Sequence, residues 1–156
     1  MQMNKTSSHH KKTFEVIEHT ADLKVRVYGK TKSELFVHAL QAMFQCMGPK
    51  SDLCRKENDQ LVCDQLPVSR EVGVNSTDVT VLLVDFLSDA LYLSDVHDEA
   101  YLDAQILQLN DIFVQATLKG VSVTGFTETE IKAVTYHDMH LQLVGGLWQV
   151  DIVFDI

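Results

Sequence analysis

The segment that most restricts the fold is "TKSELFVHALQAMFQCMGP", residues 31–49, because both of its ends are marked. Thr31 and Glu34 have the spacing of a capping box, in which hydroxyl and carboxylate each satisfy an otherwise open N–H. Leu35, Phe36, Ala39, Leu40, Met43, Phe44 and Met47 then recur on one face of a 3.6-residue period. Gly48 and Pro49 stop the helix. The methionines and phenylalanines read as core rather than as a ligand groove, since their spacing already demands burial.

The flanking segments supply the surface to bury it against. Ahead of it, "TFEVIEH" and "LKVRVYG" are β-rich, with Leu23, Val25 and Val27 alternating with Lys24, Arg26 and Tyr28. Behind it, "PKSDLCRKENDQ" reads as a polar loop, and "LVCDQLPVSREVGVNS" as a strand that Pro67 confines to an edge or a bend. Asn75, Ser76, Thr77 and Asp78 offer caps for a second helix over 78–93, in which Leu82, Leu83, Phe86, Leu87, Ala90 and Leu91 keep the helical period. Asp85, Asp89 and Asp95 read as its solvated face and exit.

From Tyr101 onward the chain is strand-forming. Asn110-Asp111 and Gly145-Gly146 mark two hairpin turns. This order of elements predicts an α+β domain, one mostly antiparallel sheet with two main helices packed on one face. Residues 13–156 are expected to form that single domain. Residues 1–12, "MQMNKTSSHHKK", read as a disordered arm, since they lack a signal peptide's apolar core.

Charge narrows the range of partners. The chain carries a net −9, but Lys5, Lys11 and Lys12 lie in the first twelve residues, which hold no acid, so 10 basic and 22 acidic residues remain, a net −12. Nucleic-acid phosphates repel such a body, so direct RNA or DNA binding is not expected and an RNA-related role would run through a basic protein partner or a metal. The apolar runs are too short to span a bilayer. Cys46, Cys54 and Cys63, odd in number and without a C-x-x-C, read as reduced thiols of a cytoplasmic protein.

Enzyme signatures are missing. "GVSVTG" has Thr124 where a nucleophile elbow needs glycine, and no glycine-rich phosphate loop occurs. His137 and His140 lack an H-E-x-x-H context and read as core or surface histidines. What remains is oxygen. The corner "EHTADL", residues 18–23, joins two strands without Gly, Asn or Pro and carries Glu18, His19, Thr20 and Asp22. The sequence closes on "VFDI", which sets Asp155 beside the α-carboxylate of Ile156. If the last strand pairs near the start of "LKVRV", these carboxylates meet Asp22, and a hard divalent cation would relieve their repulsion. The alternative is three solvated acids.

"EHTADLKVRVYG", "ELFVHALQAMF", "LLVDFLSDALYL", "EIKAVTYHDM" and "WQVDIVFDI" together resemble the archease family, from about Phe14 to Ile156. The resemblance implies a two-layer SHS2-like fold and a non-catalytic protein cofactor of the RtcB-type RNA ligase of tRNA splicing, one that promotes guanylylation of the ligase and multiple turnover. It also implies a metal site at Asp22, Asp155 and Ile156, with Ca²⁺ the expected ion and Mg²⁺ the alternative. A chaperone-like role toward methyltransferases is the second function attributed to the family. His19 and Thr20 either brace the corner or cap its turn, and Lys132 and His137 are candidates for contact with the partner or the site. Two departures from the family pattern, Lys24 in place of glycine and Phe86 in place of tryptophan, leave the ligands untouched.

Overall fold

The structure, a computed structural model, describes residues 12–17 and 21–156. Strand β1 (Phe14–Ile17) runs antiparallel to β2 (Leu23–Gly29), with Phe14 opposite Val27 and Ile17 opposite Lys24. Along β2 the expected alternation holds: Val25 and Val27 are fully buried, while Arg26 reaches outward to Asp151. Gly29 ends the strand where the next helix passes closest. A Cβ there would stand 2.5 Å from the Leu35 nitrogen, so only glycine fits.

Helix α1 (Lys32–Met47) has the predicted ends. Thr31 Oγ1 accepts the Glu34 N–H at 3.1 Å, and Gly48 closes the helix at φ +68°. The reciprocal arm of the capping box is replaced by a different contact, since the Glu34 carboxylate lies 3.8 Å from His38 Nε2. All seven residues of the apolar stripe are buried.

Residues 49–60 are more ordered than the sequence reading of a polar loop. After the two-residue β3 (Pro49–Lys50), β4 (Cys54–Glu57) and β5 (Gln60–Cys63) form a hairpin that turns at Asn58 and Asp59, both at positive φ (50° and 62°). Two consecutive residues in that region match the right-handed twist of a hairpin. The turn sets Cys54 opposite Cys63, and the two form a disulfide. This corrects the expectation of three reduced thiols: pairing comes from the hairpin register, which cysteine spacing does not encode. Cys46 is the free thiol, and burial pushes it up to about 11. β6 (Val68–Asn75) follows Pro67 and lies on a sheet edge, as that proline requires.

Helix α2 (Val79–His97) begins at Asp78, whose side chain accepts the Val81 N–H at 2.9 Å, and runs a turn beyond its predicted end. Its acids are not simply solvated. Asp85 accepts from Ser76 Oγ at 2.6 Å and from the Tyr136 hydroxyl at 2.7 Å. Partial burial, with Asp85 adding to it, holds the Asp89 carboxyl above its usual range.

β7 (Glu99–Leu109) and β8 (Phe113–Ser122) form the first predicted hairpin, closed by Asn110 N–H donating to Phe113 O. β9 (Gly125–Phe126) pairs with β3. β10 (Ala133–Val134) precedes the second hairpin, β11 (Gln142–Val144) and β12 (Leu147–Asp155), whose Gly145 and Gly146 sit at φ +58° and +84°.

Every strand pair among the described residues is antiparallel, and the fold is α+β with two main helices. The strands do not form one sheet, however. The main ladders are a five-stranded sheet in the order β1-β2-β12-β10, with β11 also on β12, and a three-stranded sheet β6-β8-β7. Both helices lie on the inner face, where Val25, Val27, Val150, Ile152 and Phe154 meet Val72, Val114, Ala116 and Leu118 in a common core. Phe36 and Phe86, 5.6 Å apart, join the helices to each other. No helix among the described residues is long and apolar enough to cross a membrane.

Candidate metal centre

The ladder between β2 and β12 is what brings the predicted residues together. Its register runs from Gly29 opposite Trp148 to Leu23 opposite Phe154. The last strand thus pairs with the start of β2, and Asp22, just before Leu23, and Asp155, just after Phe154, stand at the same end of the ladder. Asp22 is half-buried, while Asp155 and Ile156 are exposed.

A chain end normally frays, but this one is held on both sides. Phe154, fully buried, pairs with Leu23 on one side and Val134 on the other. Asp155 faces Ala133, and its carbonyl accepts the Lys132 N–H at 2.7 Å. Thr135 N–H donates to Val153 O at 3.1 Å. The strand end is therefore enclosed between β2 and β10. Through its N–H bond to the Asp155 carbonyl, the backbone of Lys132, the candidate lysine, lies at this corner. His137 lies beyond β10, with Nε2 3.1 Å from Asp138 Oδ2 and the side chain 80% exposed. Glu18, His19 and Thr20 lie outside the described residues.

Electrostatics along this outer face are graded. Two pairs before the corner, Arg26 Nε and Nη2 donate to both oxygens of Asp151, at 2.7 and 3.0 Å. That bidentate bond holds the Asp151 carboxyl below its usual range, and Lys24, 3.9 Å away, adds to the effect. The two cations on this face of β2 thus face Asp151, and the carboxylates gather at the strand end.

The donor set fits a hard cation: two carboxylates on opposed strands and the main-chain carboxyl of Ile156, all oxygen. Among the described residues no three His, Cys, Asp or Glu side chains stand as a metal-holding group. This corner offers two such side chains, with its third donor from the main chain.

Comparison with known proteins places the fold and the sequence in a family. The model of the archease protein family (MTH1598/TM1083) matches residues 14–156. The archease of Methanosarcina mazei is 33% identical, over 93% of this chain and 97% of that protein, and the archease of Pyrococcus abyssi is 28% identical, over 93% and 99%. The solution structure of Methanobacterium thermoautotrophicum protein 1598 superposes with a TM-score of 0.70 at 26% identity, covering 92% of this chain and 99% of the other. The crystal structure of an archease from Thermotoga maritima, described as a possible chaperone, shares the fold with a TM-score of 0.59 at 22% identity, covering 95% and 99%. By sequence along nearly its whole length, and by fold, the chain belongs to the archease family.

Proposed function

We propose that this protein is a non-catalytic cofactor of an RtcB-type RNA ligase, working in the cytoplasm in tRNA splicing and RNA repair by promoting ligase guanylylation and multiple turnover. The observation that supports the reading is the register at the end of β12, where Leu23 lies opposite Phe154, so that Asp22, Asp155 and Ile156 adjoin the same end of the ladder. Asp22, Asp155 and Ile156 would hold a divalent cation, Ca²⁺ in preference to Mg²⁺, because flexible oxygen donors at a strand end suit the larger ion. Bound there, the ion would supply positive charge able to bridge to carboxylate or phosphate groups of a partner.

The chain's own residues do the rest. Phe154 and the Lys132 N–H fix Asp155 in place, Arg26 orders the adjacent face through Asp151, and the net −12 body steers toward a cationic surface. Direct RNA binding is not part of this reading, since like charges repel.

The test is RNA ligation by a cognate RtcB-type ligase at limiting enzyme, with wild type, Asp22→Ala and Asp155→Ala. Turnover well beyond one product per ligase with wild type alone is the expected result. Equal turnover with and without the protein contradicts the proposal. The second reading is a chaperone-like modulator of methyltransferases, favoured by the description of the Thermotoga maritima relative as a possible chaperone. A holdase of that kind suppresses client aggregation equally well as wild type and as Asp22→Ala.

A further inference from the structure

A groove of about 640 Å³ runs between the outer side of α2 and the chain from Phe126 to Val134. Its floor is apolar, built from Met47, Leu91, Phe126, Ile131 and Val134. Tyr92, 66% exposed, stands on its lip, and Val96, one helical turn on and 52% exposed, extends the apolar strip along α2. Exposing two large apolar side chains to water is unfavourable, and neither position is explained by the core.

The rim has a sign. Asp95 and Glu130 border the groove on opposite sides, and Lys132 is the only cation among its lining residues. One wall, β10, pairs directly with Phe154 and Asp155, so an occupant of the groove lies one strand from the carboxylate corner.

We infer that this groove is a docking site for an amphipathic, lysine- or arginine-bearing segment of a partner protein, its apolar side chains seated against Leu91, Tyr92 and Ile131 and its cations on Asp95 and Glu130. Charge complementarity fixes the choice of occupant. The body carries a net −12, so a second copy of this chain would bring acids against acids. A basic segment gains on both the apolar floor and the rim. The identity of the partner as the RNA ligase rests on the reading above; the chemistry of the occupant does not.

The experiment has two arms. In the first, isotope-labelled protein is titrated with a helical probe peptide of alternating Leu and Lys at i, i+3 and i+4 spacing, and with the same peptide carrying Glu for Lys. Amide shifts confined to Met47 and residues 88–96 and 126–134, a Kd weakened tenfold or more by Tyr92→Ala and by Glu130→Lys, and no binding of the Glu peptide are expected. Shifts elsewhere, no saturable binding, or equal affinity of the variants would overturn the inference. Both variants change solvent-facing positions, and their unchanged spectra outside the groove verify the fold.

In the second arm the variants are tested for ligase binding. If wild type activates the ligase and the groove variants bind it as tightly as wild type, the groove inference fails while the cofactor reading stands. If wild type neither binds nor activates the ligase but the probe peptide maps to the groove, the cofactor reading fails and the groove stands.

Discussion

Truncating Phe154 to alanine links the core to the candidate metal centre. The side chain is fully buried and closes the β2–β12 ladder at Leu23, one residue before Asp155. Losing its burial costs about 2 kcal/mol, and each 50 Å³ of cavity that the surroundings fail to fill adds about 1.2 kcal/mol. A total of about 3–5 kcal/mol follows, equivalent to a fall in Tm of roughly 6–20 °C for a chain of this size. Urea denaturation followed by the single tryptophan, Trp148, reads the same strand, because Trp148 lies on β12 with the Lys32 ammonium 5.0 Å from its ring. Hydrogen exchange at Lys132 reports the strand end, since its N–H is held by Asp155 O. Phe154→Leu, which keeps most of the volume, should lose about 1 kcal/mol and retain that protection. A loss below about 1 kcal/mol for the alanine variant, with Lys132 already exchanging freely in wild type, would refute the reasoning. It would mean that the end of β12 is not packed and does not fix Asp155.

Three further predictions follow from the fold. Gly120→Ala should destabilise by about 1–3 kcal/mol or more, because its Cβ would stand 2.0 Å from the Ala100 carbonyl oxygen; Gly73→Ala, with open space around it, should be neutral or stabilising in the same melt. Replacing Cys54 and Cys63 together by serine should cost about 2–3 kcal/mol, the loop-closure value for so short a loop, and should leave Cys46 slow to alkylate at neutral pH because burial raises its thiol to about 11. Asp151 has a depressed carboxyl, so its contribution to stability is full above the unfolded carboxylate pKa of about 4 and is lost as pH falls through the folded value; Asp151→Asn should flatten the acid limb of the stability curve and leave the slope above pH 6 unchanged.

What the sequence could reveal was mainly local. Thr31, Gly48 and Gly145-Gly146 act within a few residues of themselves, so the ends of α1 and the last hairpin were readable without knowing any partner. Pairing was not. The division into two main sheets depends on β12 choosing β2 rather than β8, a choice between strands far apart in sequence that periodicity cannot rank. The hairpin around Asn58 and Asp59 is hidden in the sequence because its first strand, Cys54–Glu57, is charged and largely exposed, and with it goes the register that opposes Cys54 and Cys63. Asp85 looked like solvent-facing charge, yet Tyr136 and Ser76 reach it from other segments.

The candidate centre falls between these cases. Asp22 and Asp155 stood out because a strand corner without turn formers and a carboxylate-rich strand end both lack an obvious structural reason. The β2–β12 register, which ends at Leu23 opposite Phe154, sets both at one end of the same ladder. Family resemblance named the same residues, and it did so without any information about distance. The enclosing strand β10, two residues long, was invisible to any pattern, although it sets Lys132 at the corner and holds Asp155 through its carbonyl.

The most direct test of the central claim is calorimetric titration of Ca²⁺ into the full chain, with Asp22→Ala, Asp155→Ala and, as a control on an exposed acid, Asp111→Ala. The account predicts one ion per chain for wild type and for Asp111→Ala, with affinity weakened tenfold or more in each of the other two variants and by residues fused after Ile156. Absence of binding by wild type, or equal binding by all four proteins, would contradict it.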